Sequence, residues 1–108
     1  MIKVMLSLDL KNENGNRADL YKYLEEADWK KVKNVDTVWL KDFDDYTTIN
    51  EQVLNSIKGE IAKPLVTAYK ELKLDKIYYV AQIGNTIVVS RVIETRKGDY
   101  GVYPQELF

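Results

Sequence analysis

The opening stretch MIKVMLSLDL alternates between apolar and other side chains. Ile2, Val4, Leu6 and Leu8 fall on one side of an extended chain; Lys3, Met5, Ser7 and Asp9 fall on the other. A period of two predicts a strand over residues 2–10 with one strongly apolar face. KNENGNRAD follows and is rich in turn formers. The apolar spacing then lengthens: Leu20, Leu24 and Ala27 recur at helical intervals with Tyr23 beside them. A helix is expected over 17–27, with Asn16 as its N-cap and Asp19 in the first turn, where a carboxylate complements the helix dipole.

WKKVKNVDTVWLKDF reads as a hairpin: strands at 29–32 and 35–42 about a turn at Lys33 and Asn34. In the second of these, Val38 and Leu40 share one face and Thr37, Trp39 and Lys41 the other. Ile49, Val53, Ile57, Ile61, Leu65, Ala68, Tyr69 and Leu72 then mark a helical stretch over about 49–73, capped by Thr47 or Thr48. Gly59 and Pro64 interrupt it. Proline lacks an amide hydrogen and crowds the preceding turn, so a kink or two shorter helices meeting at 59–64 is expected.

KIYYVAQIGNTIVVSRVIE holds two β-branched and aromatic runs about Gly84-Asn85. This predicts strands at 76–83 and 86–94 joined by a two-residue turn. The tail has room for one more strand at 100–103. The order β-α-β-β-α-β-β places the chain in the α+β class. The expected architecture is one domain over residues 1–108: a ferredoxin-like βαββαβ sandwich with an additional C-terminal strand. Its four-stranded antiparallel core has the order 4-1-3-2, with both helices on one face. The other face is left uncovered. Met5, Trp39 and parts of the last hairpin are expected there, an apolar patch large enough to mark an interface. A homodimer packed sheet to sheet is the simplest way to cover it.

Composition narrows the chemistry. The 108 residues contain no cysteine and no histidine. Disulfides, thiolate zinc sites, cysteine nucleophiles, Ser-His-Asp triads and histidine metal sites are therefore excluded. An enzyme on this chain would work with carboxylates, lysine, tyrosine or a bound metal. The net charge of −1 argues against broad electrostatic capture of nucleic acid. No apolar run approaches the roughly 18 residues of a membrane span. The N-terminus lacks the small-residue cleavage site of a signal peptide, so a cytoplasmic location and no membrane partner are expected.

Asp9 closes the first strand, and Asp42, Asp44 and Asp45 follow the third. With those two strands taken as parallel neighbours, the carboxylates meet at one edge. Asp9 and Asp42 are then candidate ligands for Mg²⁺ or Mn²⁺, which prefer oxygen donors and can activate water at a phosphate. The plainer explanation is that aspartates favour turns and water at strand ends. Ser7 shares Asp9's face but lacks a base and is a poor nucleophile. The adjacent Tyr78 and Tyr79 point to opposite faces; such rings stack on bases or, more commonly, pack in cores and interfaces. Lys30, Lys31 and Lys33, and Arg91, Arg96 and Lys97, form two small basic groups, either phosphate contacts or solvated surface.

The segments MLSLDL, LYKYLEEADW and VDTVWL together resemble the Cas-two-like group of small ferredoxin-fold proteins, which includes the CRISPR-adaptation protein and VapD-type toxin ribonucleases. The resemblance covers residues 1–43 closely and the rest in outline. It implies a homodimer through the open sheet faces, with Met5, Ser7, Thr37 and Trp39 at the interface. It also implies that Asp9 approaches its twin across the two-fold axis and, where nuclease activity exists, is the catalytic metal ligand. Two functions follow as expectations. One is a non-catalytic homodimeric module of a microbial defence, toxin–antitoxin or mobile-element system, binding a protein or nucleic-acid partner. The other is a Mg²⁺- or Mn²⁺-dependent endonuclease or endoribonuclease.

Overall fold

A computed structural model describes residues 1–11, 15–35, 37–85 and 87–108. The elements are β1 (Ile2–Lys11), α1 (Arg17–Glu26), β2 (Lys30–Lys31), β3 (Val38–Phe43), α2 (Glu51–Glu71), β4 (Lys76–Ile83), β5 (Ile87–Arg96) and β6 (Asp99–Pro104). The strands form one sheet in the order β2-β3-β1-β4-β5-β6. Every neighbouring pair is antiparallel. The class is therefore α+β, compatible with a ferredoxin-like arrangement. Two strands, β5 and β6, extend the sheet beyond β4.

The period-two signal of β1 is the axis of the core. Its even residues, Ile2 to Leu10, are all buried, and its odd residues are all exposed. The buried row forms one cluster with Leu20 and Leu24 of α1, Ile57, Ile61 and Leu65 of α2, and Ile77, Ala81 and Ile83 of β4. Both helices thus cover the same side of the sheet.

Register corrects the expected placement of Trp39. Leu6 of the inward row pairs with Trp39. Trp39 is accordingly fully buried on the helix-covered side, edge-on to Tyr21 at 5.0 Å between ring centroids. The alternation of β3 is as read, but its faces are exchanged: Trp39 and Phe43 point inward, Val38 and Leu40 outward. Burying a tryptophan removes more apolar surface from water than burying a leucine, so the aromatic row takes the core. Lys41 shares that row and resolves the conflict by snorkelling. Its Nζ passes over the Phe43 ring and donates to the carbonyl of Ala27 (2.7 Å), at the C-terminus of α1. A cation there complements the helix dipole.

Both helices end by the same device. Asp28 and Trp29 return their amides to the carbonyls of Glu25 and Leu24, each at 3.0 Å. Asp28 takes the left-handed conformation (φ 70°). After α2, Lys73 is left-handed (φ 54°), and Leu74 donates to Tyr69 at 3.1 Å. These are Schellman stops, and Trp29 and Leu74, the residues after each left-handed position, plug into the core.

The start signals differ from expectation. Asn50, not Thr47 or Thr48, caps α2 by accepting from the Val53 amide at 2.8 Å. Asn16 precedes α1 but makes no side-chain cap; its Nδ2 reaches the Leu72 carbonyl at the end of α2 (3.4 Å). α2 runs unbroken through Gly59 and Pro64, so the two-helix alternative is set aside. Pro64 is buried against the sheet, and packing of that face holds the helix together through the missing hydrogen bond.

The β4–β5 register pairs Ile83 with Ile87, which leaves three connecting residues and not two. Thr86, expected to begin β5, lies outside the described residues. The β5–β6 turn is the two-residue one: Lys97 (φ 52°) and Gly98 (φ 86°) are both left-handed, the geometry that matches strand twist.

Candidate functional site

The side of the sheet away from the helices is where the exposed chemistry lies. Met5 of β1 is 48% exposed and Val88 of β5 is 50% exposed, with Val80 and the half-buried Leu40 nearby. Met5, Leu40, Ile49 and Met1 line a hollow of about 480 Å³ at one end of this face. At the other end, Ser7, Asp9, Thr37 and Tyr78 line a second hollow of about 360 Å³. The chain's own tail walls it: residues 105–107 join the lining, and the Gln105 amide donates to the Ser90 carbonyl at 3.1 Å. Ser90 and Val92, on the same side, are buried. The uncovered apolar area is consequently smaller than expected, and it centres on β3, β1 and β4.

Asp9 and Asp42 do not meet. β1 and β3 run antiparallel, so the ends expected to coincide lie at opposite edges. Asp42 is opposite Lys3, with Nζ to Oδ1 at 3.9 Å. Asp9 is opposite Tyr78 and pairs with Lys11 at 3.5 Å. Antiparallel pairing requires this: β3 runs against both β1 and β2, so β2 runs with β1. Among the described residues no three carboxylate, histidine or cysteine groups come close enough to hold a metal. A lone exposed carboxylate with a lysine beside it does not fit Mg²⁺ or Mn²⁺, which take about six oxygen ligands. Asp44 follows Asp42 at the far end from Asp9, and Asp45 is one residue further along.

Of the four expected interface residues, Met5 and Ser7 lie on the uncovered face, and Thr37 is half-buried beside Asp9. Trp39 is not there. Tyr78 and Tyr79 point to opposite faces as read: Tyr79 is buried, and its hydroxyl is pushed up to about 12 by burial, with Arg91 opposing the shift slightly.

Of the two basic groups, Arg91 and Arg96 are engaged. The Arg91 guanidinium donates to the Ser90 carbonyl (2.8 Å). Lys76 and Arg96 both hold Glu94, at 3.2 and 2.7 Å. Hydrogen bonds from Arg96 and then Lys76 keep the Glu94 carboxyl below its usual range. Arg96 also stacks on Tyr103 at 3.8 Å from the ring centroid. The ring also lies over Gly101: a Cβ there would lie 2.8 Å from the Tyr103 hydroxyl. This Arg96–Tyr103–Gly101 stack was not anticipated. Its signal is a glycine alternating with a tyrosine on an edge strand, which an aromatic ring can cover.

Comparison with family models, with curated proteins and with solved structures returns no match.

Proposed function

We propose that the chain is a ferredoxin-like domain extended by β5 and β6, acting as a non-catalytic homodimeric interaction module of Cas-two-like type. Its setting would be a microbial defence, toxin–antitoxin or mobile-element system. One observation supports this above the rest: a sheet side with Met5 and Val88 each about half exposed, beside Val80 and Leu40, in a chain whose other side carries the helices and the core. Contiguous apolar surface of this kind favours association. Light scattering of the purified chain tests it. A dimer mass at micromolar concentration that Met5→Lys converts to monomer supports the proposal; a wild-type monomer defeats it.

The second reading, a metal-dependent nuclease, is favoured by the position of Asp9 in an accessible hollow beside Ser7, Thr37 and Tyr78. Further ligands would have to come from a second copy. Incubation of wild type and Asp9→Ala with labelled RNA and DNA, in Mg²⁺, Mn²⁺ or chelator, separates the two readings. Cleavage that requires both Asp9 and metal favours the nuclease. No cleavage, or equal cleavage by the variant, leaves the module.

A further inference from the structure

We infer that the free edge of β6 pairs antiparallel with the β6 edge of another copy, about a two-fold axis at Gly101, so that Tyr100 of each copy faces Val102 of the other. This contact lies at the rim of the sheet and goes beyond the open-face association proposed above.

The two rims of the sheet differ. At one, β2 is only Lys30 and Lys31, both exposed. Short, charged edges resist the addition of a strand. At the other, β6 runs over Asp99–Pro104 with Tyr100, Val102 and Tyr103 along it. Among the described residues no strand lies beyond it. Hydrogen-bonded and non-bonded pairs alternate along an antiparallel ladder. In β6 both ends agree on the phase. Arg96 and Asp99 flank the two-residue turn, the position at which partners exchange hydrogen bonds. At the far end the Gln105 amide donates to the Ser90 carbonyl. The odd residues 99–105 therefore bond to β5, and Tyr100, Val102 and Pro104 turn their backbone groups outward.

Those outward groups fix the register. With Tyr100 against Val102 of the other copy, and Val102 against Tyr100, every amide in both pairs meets a carbonyl. An axis at Val102 would oppose Tyr100 with Pro104, whose ring stands where the Tyr100 carbonyl needs a donor. An axis at Tyr100 would oppose Val102 with Gly98, which lies in the turn at φ 86°. The axis at Gly101 has neither fault.

The side chains suit the same register. Tyr100 and Val102 lie on the helix side, 47% and 37% exposed, with the Tyr100 ring beside Tyr69. Aromatic and β-branched residues directly opposed across an antiparallel pair attract one another. At the axis itself Gly101 adds no side chain where the strands come closest. No charge opposes its like. Lys97 faces Gln105, and Asp99 faces Tyr103. Lys70 stays over the Tyr100 ring of its own copy at 5.0 Å. Glu106 leaves with the tail for the Asp9 hollow. Because the rim is separate from the open face, one copy can use both, and assembly then continues past two chains.

The chain has no cysteine, so an introduced thiol is unique. Tyr100→Cys and Val102→Cys, each also carrying Met5→Lys to remove the open-face contact, are oxidised alone and mixed at about 0.5 mM, a concentration suited to a small interface. Opposed residues of a hydrogen-bonded pair have Cα atoms about 5.5 Å apart, within disulfide reach. The mixed disulfide is expected to form about tenfold faster than either self-linked product. Val102→Cys linking to itself as fast as it links to Tyr100→Cys moves the axis to Val102 and overturns the register. No linking in any pairing overturns the edge contact. Val102→Pro gives an independent readout, since it removes an outward amide and leaves the bonds to β5 in place. It is expected to keep a cooperative urea transition and to lose the associated species in sedimentation at the same concentration. Association retained by that variant overturns the proposal. All of these outcomes leave the open-face dimer to its own test, the mass of the wild type at micromolar concentration.

Discussion

Asp42 stands opposite Lys3, at the far end of the first strand from Asp9. The two carboxylates that strand-end reasoning brings together are separated by the length of β1. Their partners are lysines at 3.9 and 3.5 Å, both pairs well exposed. Exposed pairs of this kind contribute about 0–1 kcal/mol. Asp42→Asn is therefore expected to shift the urea midpoint very little. It should also leave unchanged any Mn²⁺ binding that Asp9 shows by isothermal titration. A matched loss of Mn²⁺ binding in Asp9→Asn and Asp42→Asn would contradict the described register.

The exchange of faces in β3 separates two substitutions that the sequence alone groups together. Trp39→Ala empties a buried site and is expected to cost about 3–5 kcal/mol of folding stability, read by chemical denaturation. Met5→Lys changes an exposed position and is expected to leave monomer stability within about 0.5 kcal/mol, while weakening self-association. A small stability loss at Trp39 would show that the ring is not in the core.

The left-handed stops at Asp28 and Lys73 hold residues with side chains in a conformation that glycine adopts without strain. Asp28→Gly and Lys73→Gly should each stabilise the fold by up to about 1 kcal/mol. The sites are at different helix ends, so the gains should add. Thermal and urea unfolding of the single and double variants measure this; destabilisation by either glycine is the contrary result.

Tyr79 should titrate late in an ultraviolet phenolate titration. Its folded value lies above the unfolded one. Its contribution to stability is therefore complete below the ordinary tyrosine range near 10 and is lost as pH rises from there through about 12. Tyr79→Phe should remove the late phase and soften the alkaline limb of the stability profile. Retention of the late phase in that variant would assign it to another ring.

Gly101→Ala forces the Tyr103 ring off its seat, because the added methyl would lie 2.8 Å from the hydroxyl. The expected cost is about 1 kcal/mol through the lost ring packing and Arg96 stacking. In a Tyr103→Ala background the same change should be neutral or favourable, since alanine suits a strand better than glycine. An equal cost in both backgrounds, measured by denaturation, would show that the ring and the glycine are uncoupled.

Much of this architecture was legible in residue order. The alternation of β1, the helical spacing of Leu20 and Leu24, and the β-branched runs of β4 and β5 depend on short-range periodicity, and each element formed where the pattern put it. What misled were facts that periodicity does not contain. Alternation in β3 defined two rows without saying which faces the helices; that is decided by pairing Leu6 with Trp39. Strand direction moved Asp42 away from Asp9, although both are turn-favouring residues at strand ends. Asn50 took the cap expected of Thr47 or Thr48, and Pro64 was absorbed by a helix with a buried face. The Asp9 hollow was half readable: Ser7 and Asp9 share a strand face, but the contribution of residues 105–107 depends on a tail folding back.

The Asn16 amide on the Leu72 carbonyl ties the first turn of one helix to the last of the other. Because that side chain does not serve its own helix, opening either terminus exposes a polar group in both. Fraying of the two helices should then be correlated. In native-state hydrogen exchange the opening turn of α1 and the closing turn of α2 would behave as one cooperative unit, even though the chain between them crosses the sheet twice.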